Sequence, residues 1–189
     1  MKKDIILSGV GGQGILSIAT VIGKAALKEG LYMKQAEVHG MSQRGGSVVT
    51  YVRYGDKVYS PIIDKGQADV IISFEKLEAA RYMNYLKKGG KIVVSDQEID
   101  PMPVITGAAE YPENLIEKMK AAGADIDDMD ALSLAMEAGS PKAVNIVLMG
   151  RVSRYFPEIS EEAWLASLEA CVPPKFLEMN KKAFMLGRN

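Results

Sequence analysis

The chain has 189 residues, 48% hydrophobic and 25% charged, which suits one domain that buries a core without disulfides or metals. Its 23 basic and 24 acidic residues leave a formal net charge of −1, so no global field draws it to nucleic acid or anionic lipid. No run approaches the ~20 apolar residues of a membrane span, and the opening MKKDIILSGVGGQG is too briefly apolar for a secretory leader, so a cytoplasmic setting is expected.

Ile5, Ile6 and Leu7 read as a buried parallel strand that stops at Ser8. Gly9, Gly11, Gly12 and Gly14 follow, then the helical spacing of Ile15, Leu16, Ile18, Ala19, Ile22, Ala26 and Leu27, ending near Gly30. Gly9, Gly11 and Gly14 fit G-x-G-x-x-G in the strand–turn–helix context that gives the pattern meaning. Glycines there allow positive φ and close backbone approach, and a helix start offers free N–H groups to an anion. A tight βα turn without a ligand is the competing reading.

A second strand is expected over 34–38, then a glycine- and serine-rich loop over 38–47, then a β-branched and aromatic strand over 48–54. Gly55, Asp56 and Lys57 read as a turn into 58–60, giving a β-hairpin. A buried strand over 69–74 leads to a helix over 75–87 closed by Gly89 and Gly90, and 91–95 is the next strand. Pro101 and Pro103 bracket an irregular segment before a helix over 112–122. A strand over 126–131, a short helix over 132–138 and a one-sided apolar helix over 142–155 follow. Ser160 is placed as the N-cap of a further helix, and 175–185 is amphipathic. The alternation gives an α/β fold: three layers, a mostly parallel sheet, a Rossmann-like glycine turn and a β-hairpin insertion, as a single domain over 1–189. Ligands of such folds lie beyond the carboxyl ends of the strands, which puts the 9–14 turn at the expected site.

A dinucleotide site asks for an acid at the end of the second strand, and Glu37 stands near that place. The strand before it, LYMKQAEV, is too polar for a central parallel strand, which weakens an NAD(P)-dependent dehydrogenase reading. His39 is the only histidine, so any His-based catalysis must use it; an acid–base role and a plain loop role both stand. Arg44 beside Gly45 and Gly46 can present its planar fork to a phosphate or carboxylate, or pair with Glu37 or a neighbouring chain. The run Asp125, Asp127, Asp128, Asp130 lacks the glycine and glutamate of an EF-hand and reads as a solvated loop, with Asp130 at a strand end. No P-loop motif is present, nor the Gly-Asp-Gly segment with downstream asparagines associated with thiamine diphosphate. One cysteine, Cys171, excludes an internal disulfide and a cluster held by four cysteines of this chain.

Four segments in order carry a resemblance: GVGGQG at 9–14 after a strand, QRGG at 43–46, AVNIVLMG at 143–150, and a last helix with Asn180 and Phe184. Together they resemble the gamma component of the 2-oxoacid:ferredoxin oxidoreductases. The form VHGMSQRGG at 38–46 looks closest to the small (beta) subunits of the indolepyruvate branch. The resemblance implies a thiamine-dependent complex that oxidatively decarboxylates a 2-oxoacid, here an arylpyruvate, to an acyl-coenzyme A and passes electrons to ferredoxin. It also implies that thiamine diphosphate, magnesium and the iron–sulfur clusters belong to a large partner subunit. On this chain it marks Gly11, Gly12, Gln13, Gly14, Arg44, Gly45, Gly46 and Asn145 as positions for coenzyme A or another phosphate-bearing ligand, and it assigns no bond-making residue. A nucleotide-binding regulatory module is the other alternative. The scattered methionines and the apolar face of 142–155 are candidates for the partner interface.

Overall fold

The computed structural model describes residues 1–40 and 45–189. In chain order the elements are β1 (Lys2–Val10), α1 (Ile15–Lys28), β2 (Tyr32–His39), β3 (Ser47–Gly55), β4 (Ala68–Ser73), α2 (Lys76–Tyr82), β5 (Leu86–Ser95) and α3 (Met102–Ile105). Then come α4 (Leu115–Ala121), β6 (Asp125–Met129), α5 (Ala131–Ala138), α6 (Val144–Ser153), α7 (Glu161–Glu169) and α8 (Leu177–Arg188). The six strands form one sheet in the order β2-β3-β1-β4-β5-β6. β1, β4, β5 and β6 pair in parallel, while β3 runs antiparallel to both β1 and β2.

Alternation along β1 explains why its apolar run is continuous. Ile5 and Leu7 enter the core on one face, and Ile6 enters the core on the other. The first face carries α1, α5, α6, α7 and α8, with Trp164, Phe156 and Phe184 at its centre. The second carries α2 and α4 through Ala79, Ile116 and Met119. That is the three-layer α/β arrangement expected.

The hairpin is where sequence reasoning erred. Its strands are β2 and β3, joined through 40–46, and residues 58–60 form no strand. Both edges of β3 are already taken, by β1 and β2, so no ladder position remains for 58–60. The polarity of LYMKQAEV has the same cause: β2 is the outermost strand, half exposed along its length. Gly89 and Gly90 lie inside β5, since α2 ends at Tyr82 and a 3-10 turn carries the chain into the strand.

Two further expectations need correction. The apolar face of 142–155 is not a surface. Ile146, Val147, Leu148, Met149 and Val152 of α6 are buried in the chain's own core. α8 lies on α6 so closely that a Cβ on Gly150 would collide with the Phe184 carbonyl, and one on Gly187 with the Val147 carbonyl. The acidic run is not a solvated loop either, because 125–129 is β6. Asp125 pairs with Lys91, Asp127 with Arg151 and Asp128 with Lys120, while Asp130 caps α5 by accepting from the Ser133 N–H at 2.9 Å. Cys171 is half-buried beyond α7, against the larger core. Ser160 caps α7 as expected, its hydroxyl accepting from the Ala163 N–H.

Candidate functional site

β1 delivers the glycine turn to the carboxyl end of the sheet, next to the ends of β4 and β5 and the start of α1. Gly12 has φ +105° and Gly14, the N-cap of α1, has φ +77°, both in the region that disfavours other residues. The N-cap of α1 makes no side-chain cap bond, and Gly14, Ile15 and Leu16 at its start line an adjoining cleft. The turn is held from below by Gln13. Its Oε1 accepts from the Val10 N–H at 2.7 Å, and its Nε2 donates to the Phe74 carbonyl at 3.1 Å, tying the end of β1 to the end of β4. Gln13 therefore shapes the turn with the same amide that the resemblance marked for ligand.

The structure brings the other marked positions to this turn. The Gly11 N–H donates to the Gly46 carbonyl at 2.8 Å, and the Gly45 N–H donates to the Gly11 carbonyl at 3.3 Å. Two glycine segments far apart in sequence are thus one backbone unit. Asn145, in the first turn of α6, packs against Gly14, where a Cβ would meet its Nδ2 at 2.5 Å. The N-cap of α6 also makes no side-chain cap bond, and the start of α6 meets the start of α1. At α6 the Ile146 N–H already donates to Asn145 Oδ1 at 2.8 Å, while α1 has no side-chain cap bond, which leaves the α1 start as the end suited to an anion. Arg44 lies outside the described residues.

Two clefts flank the turn, and they differ in charge. One, about 350 Å3, runs from Gly12 and Gly14 to Glu37, His39 and Val48. The other, about 490 Å3, runs from the same glycines to Phe74, Gln97, Lys142 and Asn145. Glu37 accepts from the Thr50 hydroxyl at 3.4 Å, and the Nδ1 of His39 lies 3.1 Å from the Gly40 carbonyl oxygen. In a dinucleotide fold the acid-bearing second strand lies beside the first; here β3 separates β2 from β1, which removes the basis of the dehydrogenase reading.

Sequence reasoning missed Lys142 and Gln97, and it missed a buried pair of acids at the start of α2. Glu75 is 1% exposed and Glu78 is 5% exposed. Glu75 caps α2 by accepting from the Glu78 N–H at 2.8 Å. Burial pushes the Glu78 carboxyl above its ordinary pKa, although Ser47 and Arg81 act to lower it. Two acids three apart, just after the buried strand DVIISF, were the available signal.

Among the described residues no three His, Cys, Asp or Glu side chains converge on a metal-holding group, and no helix is long and apolar enough to cross a membrane. The model of the family described as pyruvate ferredoxin/flavodoxin oxidoreductase matches residues 4–189. The chain belongs to that family. It is 46% identical over 195 residues to the indolepyruvate oxidoreductase subunit IorB of Thermococcus kodakarensis, covering 99% of this chain and 95% of that one. Its fold is that of pyruvate oxidoreductase subunit PORC of Thermotoga maritima, with a TM-score of 0.76 at 20% identity over 99% of this chain and 95% of that chain. A 2-oxoglutarate:ferredoxin oxidoreductase of Magnetococcus marinus, solved with 2-oxoglutarate, coenzyme A and succinyl-CoA bound, matches with a TM-score of 0.74 at 24% identity. That match spans 99% of this chain and 30% of that chain, so the same fold there is one part of a longer polypeptide.

Proposed function

We propose that this chain, as one unit over 1–189, is the small non-redox subunit of an arylpyruvate:ferredoxin oxidoreductase, with indolepyruvate as the first substrate to test. The 46% identity to an indolepyruvate oxidoreductase subunit along nearly the whole of both chains carries this reading. The overall reaction converts a 2-oxoacid, coenzyme A and two oxidised ferredoxins into an acyl-coenzyme A, CO2, two reduced ferredoxins and a proton. A single cysteine cannot supply the four thiolates of a cluster, so the redox groups belong to a larger partner subunit. There thiamine diphosphate with its magnesium supplies the carbanion chemistry, and the clusters carry electrons to ferredoxin.

What remains for this chain is binding. The N–H groups of the glycine turn and of the start of α1 hold the phosphates of coenzyme A, with Gly11, Gly12, Gly14, Gly45, Gly46 and Asn145 shaping the seat and Gln13 bracing it. Arg44 adds its guanidinium to the same ligand. The cytoplasm is the proposed compartment, and neither nucleic acid nor a membrane is a proposed partner.

The assay is anaerobic dye reduction dependent on indolepyruvate and coenzyme A, with each chain alone and with both together. Turnover is expected only with both. Full turnover by the large chain alone would remove the essential role, and turnover by this chain alone would overturn the assignment. Gly12→Ala tests the seat. Among the described residues, a Cβ at Gly12 meets no atom beyond its chain neighbours within 4 Å, so it intrudes on the space proposed for the ligand. The KM for coenzyme A should rise roughly tenfold, alongside a backbone strain of about 1–2 kcal/mol. An unchanged KM would leave the turn a purely structural feature.

A further inference from the structure

The Gly45 and Gly46 segment that pairs with Gly11 is itself held from the opposite side of the sheet. Ser47 follows Gly46 directly, and its hydroxyl donates to Glu78 Oε2 at 2.5 Å. The other oxygen of Glu78 pairs with Arg81 Nε at 3.2 Å. The Glu78 N–H donates to Glu75 Oε2, and Glu75 Oε1 accepts from the Ile99 N–H at 3.3 Å and from the Tyr111 hydroxyl. A continuous path of hydrogen bonds therefore runs from the crossover after β5, through two acids at the start of α2, to Ser47, and on through Gly46 to Gly11.

Two neighbouring carboxyl groups this deeply buried are an expensive way to join three segments, since apolar residues of similar size would hold them at lower cost. Most of their acceptor capacity goes to fixing backbone position. Oε1 and Oε2 of Glu75 fix Ile99 and the start of α2, and Oε2 of Glu78 fixes the residue that follows the glycines. Ser47 is exposed, so this bond contributes little to burying the core.

We propose that Ser47 and Glu78 are positioning residues that latch the Gly45 and Gly46 segment, and through it the 9–14 turn, in the geometry that receives the phosphates of coenzyme A. The latch rests on the seat described under Proposed function. It acts on ligand binding and not on the reacting atoms. When it is released, Gly46 drifts, the Gly11 N–H loses its fixed acceptor, and the N–H groups of the turn no longer share one target.

The test uses the reconstituted complex, with coenzyme A varied at saturating 2-oxoacid. Ser47→Ala and Glu78→Gln should raise the KM for coenzyme A roughly five- to tenfold, within the range for losing one hydrogen bond, with kcat within about twofold. Ser47→Thr keeps the hydroxyl and should restore the wild-type KM. The Tm of Ser47→Ala should fall only modestly, because the buried Glu78 carboxyl keeps Arg81 as a partner. A wild-type KM in Ser47→Ala overturns the latch, as does a Ser47→Thr variant as impaired as Ser47→Ala. Gly12→Ala in the same assay separates the two ideas. If it raises the KM while Ser47→Ala does not, the latch falls and the seat stands; if neither moves it, both fall.

Discussion

Glycine does opposite work in two regions of this molecule. On the helical flank, Gly150 and Gly187 remove side chains so that the backbones of α6 and α8 can touch, and any Cβ there would strike a carbonyl. At the carboxyl edge of the sheet, a Cβ on Gly12 would meet no atom of the described residues beyond its chain neighbours within 4 Å. The flank glycines face protein backbone, while Gly12 borders the two clefts. The difference teaches that a missing side chain can serve a backbone contact or leave open space, and only the surroundings of each glycine tell which.

The sharpest way to break this comparison is Gly187→Ala. Helix propensity alone would make alanine more favourable by roughly 0.5–1 kcal/mol. The contact with the Val147 carbonyl reverses the sign, because backbone cannot rotate aside as a side chain can. A loss of about 3 kcal/mol is expected, at the upper end for overpacking. At roughly 2–4 °C per kcal/mol for a chain of this size, Tm should fall by about 6–12 °C. Affinity for coenzyme A in the molecules still folded should not change. A rise in Tm would mean that α6 and α8 separate readily, and the contrast between flank and edge would lose one side.

What the sequence made legible followed the same division. The strand–turn–helix at 1–28 was readable because the apolar run, the glycines and the amphipathic stretch are local signals, and β1 and α1 agree with them. The pairing of Gly45 and Gly46 with Gly11 was not readable, because it depends on β3 inserting between β1 and β2. Nor was the fate of the apolar face of 142–155. An amphipathic stretch shows that a face will be buried and not what buries it, and α8 supplies that cover. The polar strand at 32–39 misled for a related reason, since its composition reported an edge position that chain order alone could not give. Glu75 and Glu78 look like ordinary surface acids of a first helical turn until β4 and the crossover close over them.

Asp127→Asn probes the flank by charge instead of contact. Arg151 donates to both Asp127 oxygens, at 2.8 and 2.9 Å, and Tyr155 donates its hydroxyl at 2.5 Å, joining α6 to β6. Burial by itself would push this carboxyl up, but the donors from Arg151 and Tyr155 prevail and hold it below its ordinary value of 3.8. A carboxyl lowered in the folded state adds stability above the unfolded pKa and loses it as pH falls through the folded one. The variant should therefore be less stable by about 1–2 kcal/mol at pH 7, and the gap should close below roughly pH 3. Denaturant melts at pH 7, 5 and 3 would show it. A gap that persists unchanged at pH 3 would mean that shape and not charge joins these elements.

Lys142→Ala carries the smallest expected effect and tests whether the edge is an anion seat by its backbone or by its charge. Lys142 is exposed at the mouth of the cleft that also holds Gly12, Gly14 and Asn145. An exposed cation beside a bound phosphate contributes about 0.3–1 kcal/mol at low salt, and salt screens it. Removing it should weaken coenzyme A binding only about two- to fivefold at low ionic strength, and the difference should fade by roughly 0.5 M salt. The N–H groups of the turn and of the α1 start are fixed by the backbone, so the residual affinity should survive that salt better than the lysine's share. Titration calorimetry of wild type and variant at two salt concentrations reads both quantities. A loss beyond about fiftyfold, insensitive to salt, would make Lys142 the principal anchor and reduce the glycine turn to its scaffold.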